Sequence, residues 1–232
     1  MARVLVTGSN RGIGLEFTRQ LLARGDDVLA ACRAPEQAQA LHELAHAHPQ
    51  RLTITAVEMA DEASIAALAA AADAHFSGLD LLINNAGMNV RGERMGTVRG
   101  QDLQATLRTN AVGTFLLTQA LAPLLGKGER PLVANISSQV GSIARTSGFH
   151  SPSYAISKAA LNMASVLLAR GMAAAGVSVA ALHPGWVQTA MGGPHAPLPV
   201  AESVAHLLRT IAGLTLADSG RFLDHDGTPM PW

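Results

Sequence analysis

Short apolar runs alternate with longer helical segments along the whole chain. The apolar runs predict seven strands, at residues 4–6, 28–31, 52–57, 79–83, 132–136, 177–182 and 221–223. Between them the pattern predicts six helices, at residues 12–23, 36–46, 62–76, 102–125, 153–174 and 200–214. Such alternation is typical of stacked β-α-β units whose strands form one parallel sheet. We therefore expect a single α/β domain over residues 1–232, with a doubly wound parallel sheet of about seven strands flanked by helices.

Composition excludes several classes of partner. The 17 basic side chains balance the 17 acidic ones, so no positive field would attract nucleic acid or an anionic membrane. The longest apolar runs have the length of strands and are too short to span a membrane. Cys32 is the single cysteine, which gives no disulfide framework or cysteine-based metal site. No signal-like segment precedes the first strand, and we expect a cytoplasmic protein.

A glycine-rich segment joins the first predicted strand to the first predicted helix. Gly8, Gly12 and Gly14 are spaced Gly-x3-Gly-x-Gly, unlike the Gly-x-Gly-x2-Gly of the common dinucleotide fingerprint. Glycines at such a turn let backbone N–H groups approach a pyrophosphate at the positive end of the helix. A plain turn with incidental glycines is the alternative. The strand-turn-helix context favours a dinucleotide site, and hence a Rossmann-type domain.

A tyrosine and a lysine lie one helical turn apart on one predicted helix. Tyr154 is the single tyrosine of the chain, and Lys158 is one of two lysines. A phenol with a pKa near 10 is a poor acid–base catalyst at neutral pH, and an adjacent ammonium favours its phenolate. The pair is therefore a candidate for proton transfer. The alternative is a surface aromatic side chain beside a solvated lysine.

Three further polar side chains stand in apolar surroundings. Ser137 and Ser138 follow the strand predicted at 132–136, where a hydroxyl would point into the crevice at the sheet edge. Asn110 lies inside an otherwise apolar helix, although asparagine is an indifferent helix former and is costly to bury unpaired. Its alternative role is a hydrogen bond from the helix to a strand.

Together these elements resemble the classical short-chain dehydrogenase/reductase family, over essentially the whole chain. In the family's order they are Gly8, Gly12 and Gly14; Asn84-Asn85-Ala86-Gly87; Asn110; Ser138; Tyr154 and Lys158; and Pro184-Gly185. The segment 182–194 and the C-terminal segment are similar to the C-factor-like branch, which is related to sniffer-type carbonyl reductases. Six matched elements in order make the resemblance specific.

The resemblance implies four catalytic residues. Tyr154 would act as the general acid during reduction, and Lys158 would hold the ribose hydroxyls and favour the phenolate. Ser138 would position and polarise the carbonyl oxygen; it is chosen over Ser137 because of the segment that follows it. Asn110 would support a water that links Lys158 to solvent.

The resemblance also implies a set of residues that bind the cofactor. They are Gly8, Asn10, Arg11, Gly12, Ile13, Gly14, Arg33, Glu58, Met59, Asn85, Ala86, Gly87, Tyr154, Lys158, Pro184, Gly185, Val187 and Thr189. Two of these depart from the family pattern, because Glu58-Met59 stands where an aspartate and a small apolar residue are usual. Ala190 replaces an acidic residue frequent in this branch, and the long interval between Ser138 and Tyr154 implies a larger substrate loop.

The end of the second predicted strand carries no carboxylate. In NAD-selective Rossmann sites an acidic residue there binds the ribose hydroxyls, whereas here the strand runs into Cys32-Arg33. Arg33 offers a planar fork to a 2′-phosphate, and Arg11 can reach the same group from the glycine loop. Two solvated arginines are the alternative. We expect NADP(H) to be preferred, with NAD(H) as the second choice.

Substrate and assembly are less constrained. Seven mostly apolar side chains at or near the three least regular stretches (88–100, 141–152 and 185–199) are candidates for the substrate pocket: Met88, Val90, Gln139, Ile143, Phe149, Trp186 and Met191. They predict a hydrophobic aldehyde or ketone, or the corresponding alcohol. The helices at 102–125 and 153–174 are apolar enough for a four-helix contact in a homodimer or homotetramer.

The sequence leaves two rival functions open. His42-Glu43-Leu44-Ala45-His46 matches the His-Glu-x-x-His pattern of zinc proteases, but a catalytic zinc needs a third ligand and an open cleft. The apolar stripe of that helix predicts that it packs on the sheet flank with its histidines solvated, so we expect no metal.

The other rival is a cofactor-binding signalling or sensor protein with little turnover. A protein that only binds the cofactor needs no general acid, so the complete set of catalytic residues argues against it.

Overall fold

The computed structural model describes all residues from 1 to 232. Seven strands are present: β1 Arg3–Thr7, β2 Asp27–Cys32, β3 Leu52–Ala56, β4 Leu81–Asn84, β5 Leu132–Ile136, β6 Ser178–His183 and β7 Phe222–Asp224. Seven α-helices accompany them: α1 Gly12–Arg24, α2 Gln39–Ala47, α3 Glu62–His75, α4 Gly100–Leu107, α5 Gly113–Leu125, α6 Pro152–Met172 and α7 Val200–Gly213. No helix combines the length and the apolar character needed to cross a membrane.

The strands form one sheet in the order β3-β2-β1-β4-β5-β6-β7, and every pairing is parallel. The chain winds outwards from β1 in one direction and, from β4, in the other. Ligands in such folds bind at the carboxyl ends of the strands where the winding reverses, here between β1 and β4. The predicted doubly wound α/β fold with seven parallel strands is therefore confirmed.

Alternate side chains of each strand pack on opposite faces of the sheet. In β1, Val4 and Val6 join a buried cluster with Phe17 and Leu21 of α1, while Leu5 joins a second cluster with Leu117 of α5. Both clusters are large, at 23 and 21 buried residues. This two-sided burial explains why the strands are almost continuously apolar in sequence.

Several predicted boundaries differ from those of the structure by one to three residues, and one predicted helix is divided. The helix predicted at 102–125 is interrupted at Arg108–Val112, where a π-helical turn separates α4 from α5. The helix predicted to begin at residue 36 begins at Gln39, because Pro35–Gln37 forms a short 3₁₀ turn first. The last strand lies one residue later than predicted. In the first case the π turn contains the buried side chain of Asn110, and π turns of this kind frequently occur at functional sites.

Candidate active site

A cavity of about 620 Å³ lies at the carboxyl ends of the central strands. Of the sequence-predicted site residues, 18 line it: Gly8, Asn10, Arg11, Gly12, Ile13, Arg33, Glu58, Met59, Asn85, Ala86, Gly87, Ser138, Tyr154, Lys158, Pro184, Gly185, Val187 and Thr189. Gly14 and Asn110 lie behind its wall. Both are packed against residues that do line the cavity.

Gly14 supports the glycine loop without facing the cavity. A Cβ atom at Gly14 would lie 2.2 Å from the carbonyl oxygen of Gly8 and 2.5 Å from Nδ2 of Asn85. That same Nδ2 donates hydrogen bonds to the carbonyl oxygens of Thr7, at 3.0 Å, and Gly8, at 3.2 Å. Gly14 is therefore required by close packing, and Asn85 ties the loop after β4 to the glycine loop.

Thr7 is a contributor to this loop that the sequence analysis missed. Its Oγ1 accepts hydrogen bonds from the backbone N–H groups of Asn85 and Ala86, both at 3.1 Å. Ser9, next to Gly8, is fully buried and donates through its hydroxyl to the carbonyl of Val6 at 2.6 Å. Thr7 ends β1 and Ser9 lies in the turn that follows; both are small hydroxyl residues at the start of the glycine loop, and their residue types were the available signal.

Tyr154 and Lys158 lie in the first two turns of α6, and both line the cavity. The Lys158 side chain is buried, and its Nζ lies 5.5 Å from the centre of the Tyr154 ring. Burial lowers the pKa of Lys158 to about 8. Burial also raises the pKa of Tyr154 to about 12, while the nearby Ser138 hydroxyl acts in the opposite direction. The tyrosine pKa is therefore raised by desolvation and not lowered as expected from the adjacent ammonium, and the phenol is protonated at neutral pH.

The two adjacent serines differ in what their hydroxyls contact. Ser137 is buried and donates to Oδ1 of Asn162 at 2.6 Å, so its hydroxyl is already engaged within the protein. Ser138 is half-buried; its hydroxyl lies beside the Tyr154 phenol and accepts a long contact, of 3.4 Å, from the backbone N–H of Val140. The Ser138 hydroxyl is therefore the one available to a ligand beside Tyr154.

Asn110 is completely buried in the π turn between α4 and α5. Its Oδ1 accepts from the backbone N–H of Met88 at 2.8 Å, and its Nδ2 donates to the carbonyl of Met88 and to Oγ of Ser157, each at 2.9 Å. Ser157 in turn donates to the carbonyl of Tyr154 at 2.7 Å. The contacts of Asn110 thus join the helix to the loop after β4 and to α6. They do not include the hydrogen bond to a strand that was its alternative role.

The opposite end of the cavity is formed by the loops after β1, β2 and β3. Arg11 and Arg33 line it with exposed side chains, and neither forms an ion pair. The carboxylate of Glu58 is turned back to accept from the backbone N–H of Ala60 at 3.0 Å. Met59 is buried, and its carbonyl oxygen is so close to α5 that a Cβ at Gly113 would lie 2.0 Å from it.

The loop after β6 forms a third wall. Gly185 has φ of +84°, a conformation that favours glycine. Trp186 donates from Nε1 to the carbonyl of Gly192 at 2.8 Å, and Thr189 accepts at Oγ1 from the N–H of Gly192 at 3.0 Å. These bonds fold the loop onto itself and keep Val187 and Thr189 against the cavity.

Of the seven predicted substrate-pocket residues, Met88, Trp186 and Met191 line the cavity, whereas Val90, Gln139, Ile143 and Phe149 do not. Ile143 and Phe149 lie in the wholly exposed stretch 143–150.

Ten lining residues were not predicted as site residues: Cys32, Val57, Asn89, Thr109, Ile136, Ser137, His183, Gln188, Ala190 and Gly192. His183 is the most informative, because burial lowers its pKa to about 4 and keeps the imidazole neutral. Its place directly before Pro184 was the sequence signal.

The two histidines of the protease-like pattern lie far from this cavity in the fold. His42 and His46 are on the exposed side of α2, and neither lines the cavity. His42 is hydrogen-bonded through Nε2 to the carbonyl of Pro35, at 2.9 Å. The solvated flank position predicted for this helix agrees with these contacts.

Comparison with known proteins agrees with this geometry. The family model described as short chain dehydrogenase matches residues 2–197. The chain belongs to the short-chain dehydrogenase family. The resemblance predicted from the ordered motifs is therefore confirmed.

Individual members of the short-chain dehydrogenase family are similar over long stretches. The C-signal protein of Myxococcus xanthus is 43% identical over 154 residues, which are 66% of this chain and 93% of that protein. An NADPH-bound carbonyl reductase from chicken superposes with a TM-score of 0.95 at 40% identity, covering 100% of this chain and 99% of the other. The carbonyl reductase Sniffer of Drosophila melanogaster superposes with a TM-score of 0.96 at 35% identity, covering 100% of both chains. These relatives confirm the predicted branch of the family.

Proposed function

We propose that this protein is an NADP(H)-dependent oxidoreductase that transfers hydride between a nicotinamide and a carbonyl or alcohol substrate. One observation carries the proposal: a single cavity has Ser138, Tyr154 and Lys158 at one end and two unpaired guanidinium groups, of Arg11 and Arg33, at the other. Membership of the short-chain dehydrogenase family and the similarity to an NADPH-bound carbonyl reductase support it.

The residues present fit such a dinucleotide. Gly8 and Gly12 have φ of +68° and +55°, so the loop between β1 and α1 bends close to the cavity without side chains in the way. Its N–H groups would hold a pyrophosphate, and Arg11 and Arg33 would hold a 2′-phosphate. Lys158 would hold the ribose hydroxyls, and residues 184–189 would hold the nicotinamide end. When bound, the cofactor supplies or accepts the hydride.

Three side chains of this chain then handle the oxygen of the substrate. The Tyr154 phenol donates its proton to the carbonyl oxygen as that oxygen gains negative charge. The Ser138 hydroxyl donates a hydrogen bond to the same oxygen and so fixes its position. The ammonium of Lys158 places positive charge beside the phenol, which favours the phenolate left after proton transfer.

The pKa of Tyr154 determines the protonation state of the phenol at neutral pH. Burial raises this pKa to about 12, so the side chain is an acid with its proton in place. Reduction needs that proton, whereas alcohol oxidation needs the phenolate as a base. We therefore propose that at neutral pH Tyr154 is in the protonation state that carbonyl reduction requires, while the net direction depends on the concentrations of the substrates and of the two cofactor forms.

The decisive experiment replaces the phenol and keeps the ring. In Tyr154→Phe we expect the rate to fall by about 10²–10⁴-fold, because the proton donor is lost while the ring still packs. NADPH affinity should stay close to that of the unmodified protein. Turnover is followed by cofactor absorbance over a panel of hydrophobic aldehydes and ketones. Retention of more than about a tenth of the rate would remove Tyr154 from the role of acid.

The similarity to a protein named C-signal favours one second candidate, a cofactor-binding signalling or sensor protein. Such a protein would bind NADPH tightly and turn over every carbonyl of the panel slowly. The same screen separates the two functions, because an enzyme shows at least one substrate whose turnover depends on Tyr154.

An exposed apolar face on α6 bears on the assembly of the protein. On α6, Ile156, Met163 and Leu167 are exposed along one face, and Val112, the last residue of the π turn before α5, is also exposed. An apolar face of this kind suits a contact between copies of the chain, and we propose a homodimer or homotetramer that uses it. The proposed substrate is a small carbonyl compound or alcohol, and the proposed location is the cytoplasm.

A further inference from the structure

The first turn of α6 presents Tyr154 to the cavity, yet its own flanking residues do not cap it. Ser151, the residue before the helix, is in the left-handed region with φ of +44°, and its side chain makes no capping bond. Pro152 has no N–H group, and the N–H of Ala155 donates to the carbonyl of Ser151 at 2.9 Å. The turn therefore needs an acceptor from elsewhere for the N–H groups that remain.

Glu93, 60 residues earlier in the chain, supplies that acceptor. Its Oε2 accepts from the backbone N–H of Ser153 at 3.1 Å, and its Oε1 accepts from the Ser153 hydroxyl. Ser153 is completely buried and directly precedes Tyr154. In the otherwise exposed run from 91 to 97, Glu93 is the residue that is half-buried. A carboxylate at the positive end of a 21-residue helix makes charge-assisted hydrogen bonds there.

The loop that carries Glu93 is anchored to the opposite wall of the cavity as well. The guanidinium of Arg91 donates to the carbonyl oxygens of Ala190 and Met191, both of which line the cavity. At its start, Met88 is held by Asn110 through two hydrogen bonds. The segment 88–93 is therefore fixed to the loop after β6, to the π turn and to α6.

We propose that Glu93 is a positioning residue for Tyr154, which couples the ordered state of the 88–100 loop to the placement of the phenol beside Ser138. This inference rests on the proposed function, because it assumes that Tyr154 is the acid. A shift of about 1 Å in a reacting group can cost about 10²-fold in rate. Glu93 touches no reacting atom itself, and its effect passes through Ser153.

The test compares variants of the full chain. For Glu93→Ala we expect kcat for a carbonyl substrate to fall by about 10- to 100-fold, with KM and NADPH affinity within about twofold of the unmodified protein. Glu93→Gln keeps a neutral acceptor and should recover part of the loss. Arg94→Ala is the matched control, because it lies in the same loop and its exposed side chain makes no hydrogen bond to the site.

A double-mutant cycle ties the effect to the contact. If Glu93 acts through Ser153, the combined variant Glu93→Ala with Ser153→Ala loses no more kcat than Glu93→Ala alone.

A second measurement, by NMR, reports on the placement of the phenol without using turnover. Tyr154 is the single tyrosine, so protein labelled with ¹³C at the tyrosine ζ carbon gives one NMR signal, which should shift or broaden in Glu93→Ala and not in Arg94→Ala.

The inference is overturned if kcat of Glu93→Ala stays within about twofold of the unmodified protein, if the two losses add, or if NADPH affinity falls as much as kcat. If Glu93→Ala does not fold, an unchanged kcat and an unchanged tyrosine signal in Glu93→Gln overturn it. Tyr154→Phe is run in parallel. When that variant is inactive and Glu93→Ala is unaffected, only this inference fails; when Tyr154→Phe stays active, the proposed function itself fails.

Discussion

Lys158 donates a hydrogen bond from Nζ to the backbone carbonyl oxygen of Ile136, at 2.7 Å. Ile136 is the last residue of β5 and directly precedes Ser137 and Ser138, so this bond ties the lysine of α6 to the strand end that carries the serines. The ammonium is buried, and its other donors are free to face a ligand. The same burial makes the charge of Lys158 sensitive to pH.

The first prediction concerns the fall of kcat/KM at alkaline pH. Because burial lowers the pKa of Lys158 to about 8, the ammonium is lost as the pH rises through that value. We expect kcat/KM for reduction to fall by about tenfold per pH unit above the midpoint, since both ribose binding and the charge beside the phenol are lost. The measurement is a pH–rate profile, with NADPH binding followed in parallel.

Unfolding of the protein would not explain this fall in activity at alkaline pH. Between about pH 8 and 10.5 the unfolded chain holds the Lys158 proton and the folded chain does not, so this group makes the free energy of unfolding rise with pH. A circular-dichroism melt at each pH is the control. A rate that stays flat to about pH 9.5 would contradict the assignment of Lys158.

The second prediction concerns the ionisation of Tyr154. Burial raises its pKa to about 12 from the ordinary value of 10.0. Because this is the single tyrosine, phenolate absorbance reports on it alone. We expect no phenolate in the folded chain at pH 10, whereas the chain unfolded in guanidinium is half ionised there. A folded-state midpoint at or below the unfolded one would show that the charge of Lys158 outweighs desolvation.

The third prediction concerns the choice between NADPH and NADH. A hydrogen bond to a charged group is worth about 1.5–3 kcal/mol, so Arg33→Ala should weaken the use of NADPH by about 10- to 150-fold. NADH presents no 2′-phosphate and should be little affected. Arg209→Ala, an exposed arginine on α7 away from the cavity, is the control. Equal kcat/KM for the two cofactors in the unmodified protein, or equal losses in Arg33→Ala, would refute the assignment.

The fourth prediction uses two glycines in helices. Gly14→Ala would place its Cβ 2.2 Å from the carbonyl oxygen of Gly8, so we expect a lower melting temperature and weaker NADPH binding. Gly171 in α6 has open space around it, and Gly171→Ala should gain about 0.5–1 kcal/mol from helix propensity. Thermal melts and NADPH titrations of both variants check the pair. Similar melting temperatures for both would contradict the close packing described at Gly14.

The strands, the helices and the order of the motifs are local properties, and the sequence was sufficient for them. Continuous apolar runs and helical periodicity indicate which positions are buried, and glycines indicate where the backbone must bend. The carboxyl ends of parallel strands meet at one edge, so the motifs that follow them had to converge. That convergence explains why 18 of the predicted residues line one cavity.

The tertiary structure decided what depends on contacts between distant segments. Asn110 lies in a π turn and its side chain bonds to Met88 and Ser157, contacts that helical periodicity cannot indicate. Glu93 caps a helix 60 residues away, although its own neighbours look like an ordinary exposed loop. The pKa of Tyr154 rises because desolvation exceeds the opposing effect of the hydrogen bond with Ser138, and only a packed environment determines which of those two effects is larger.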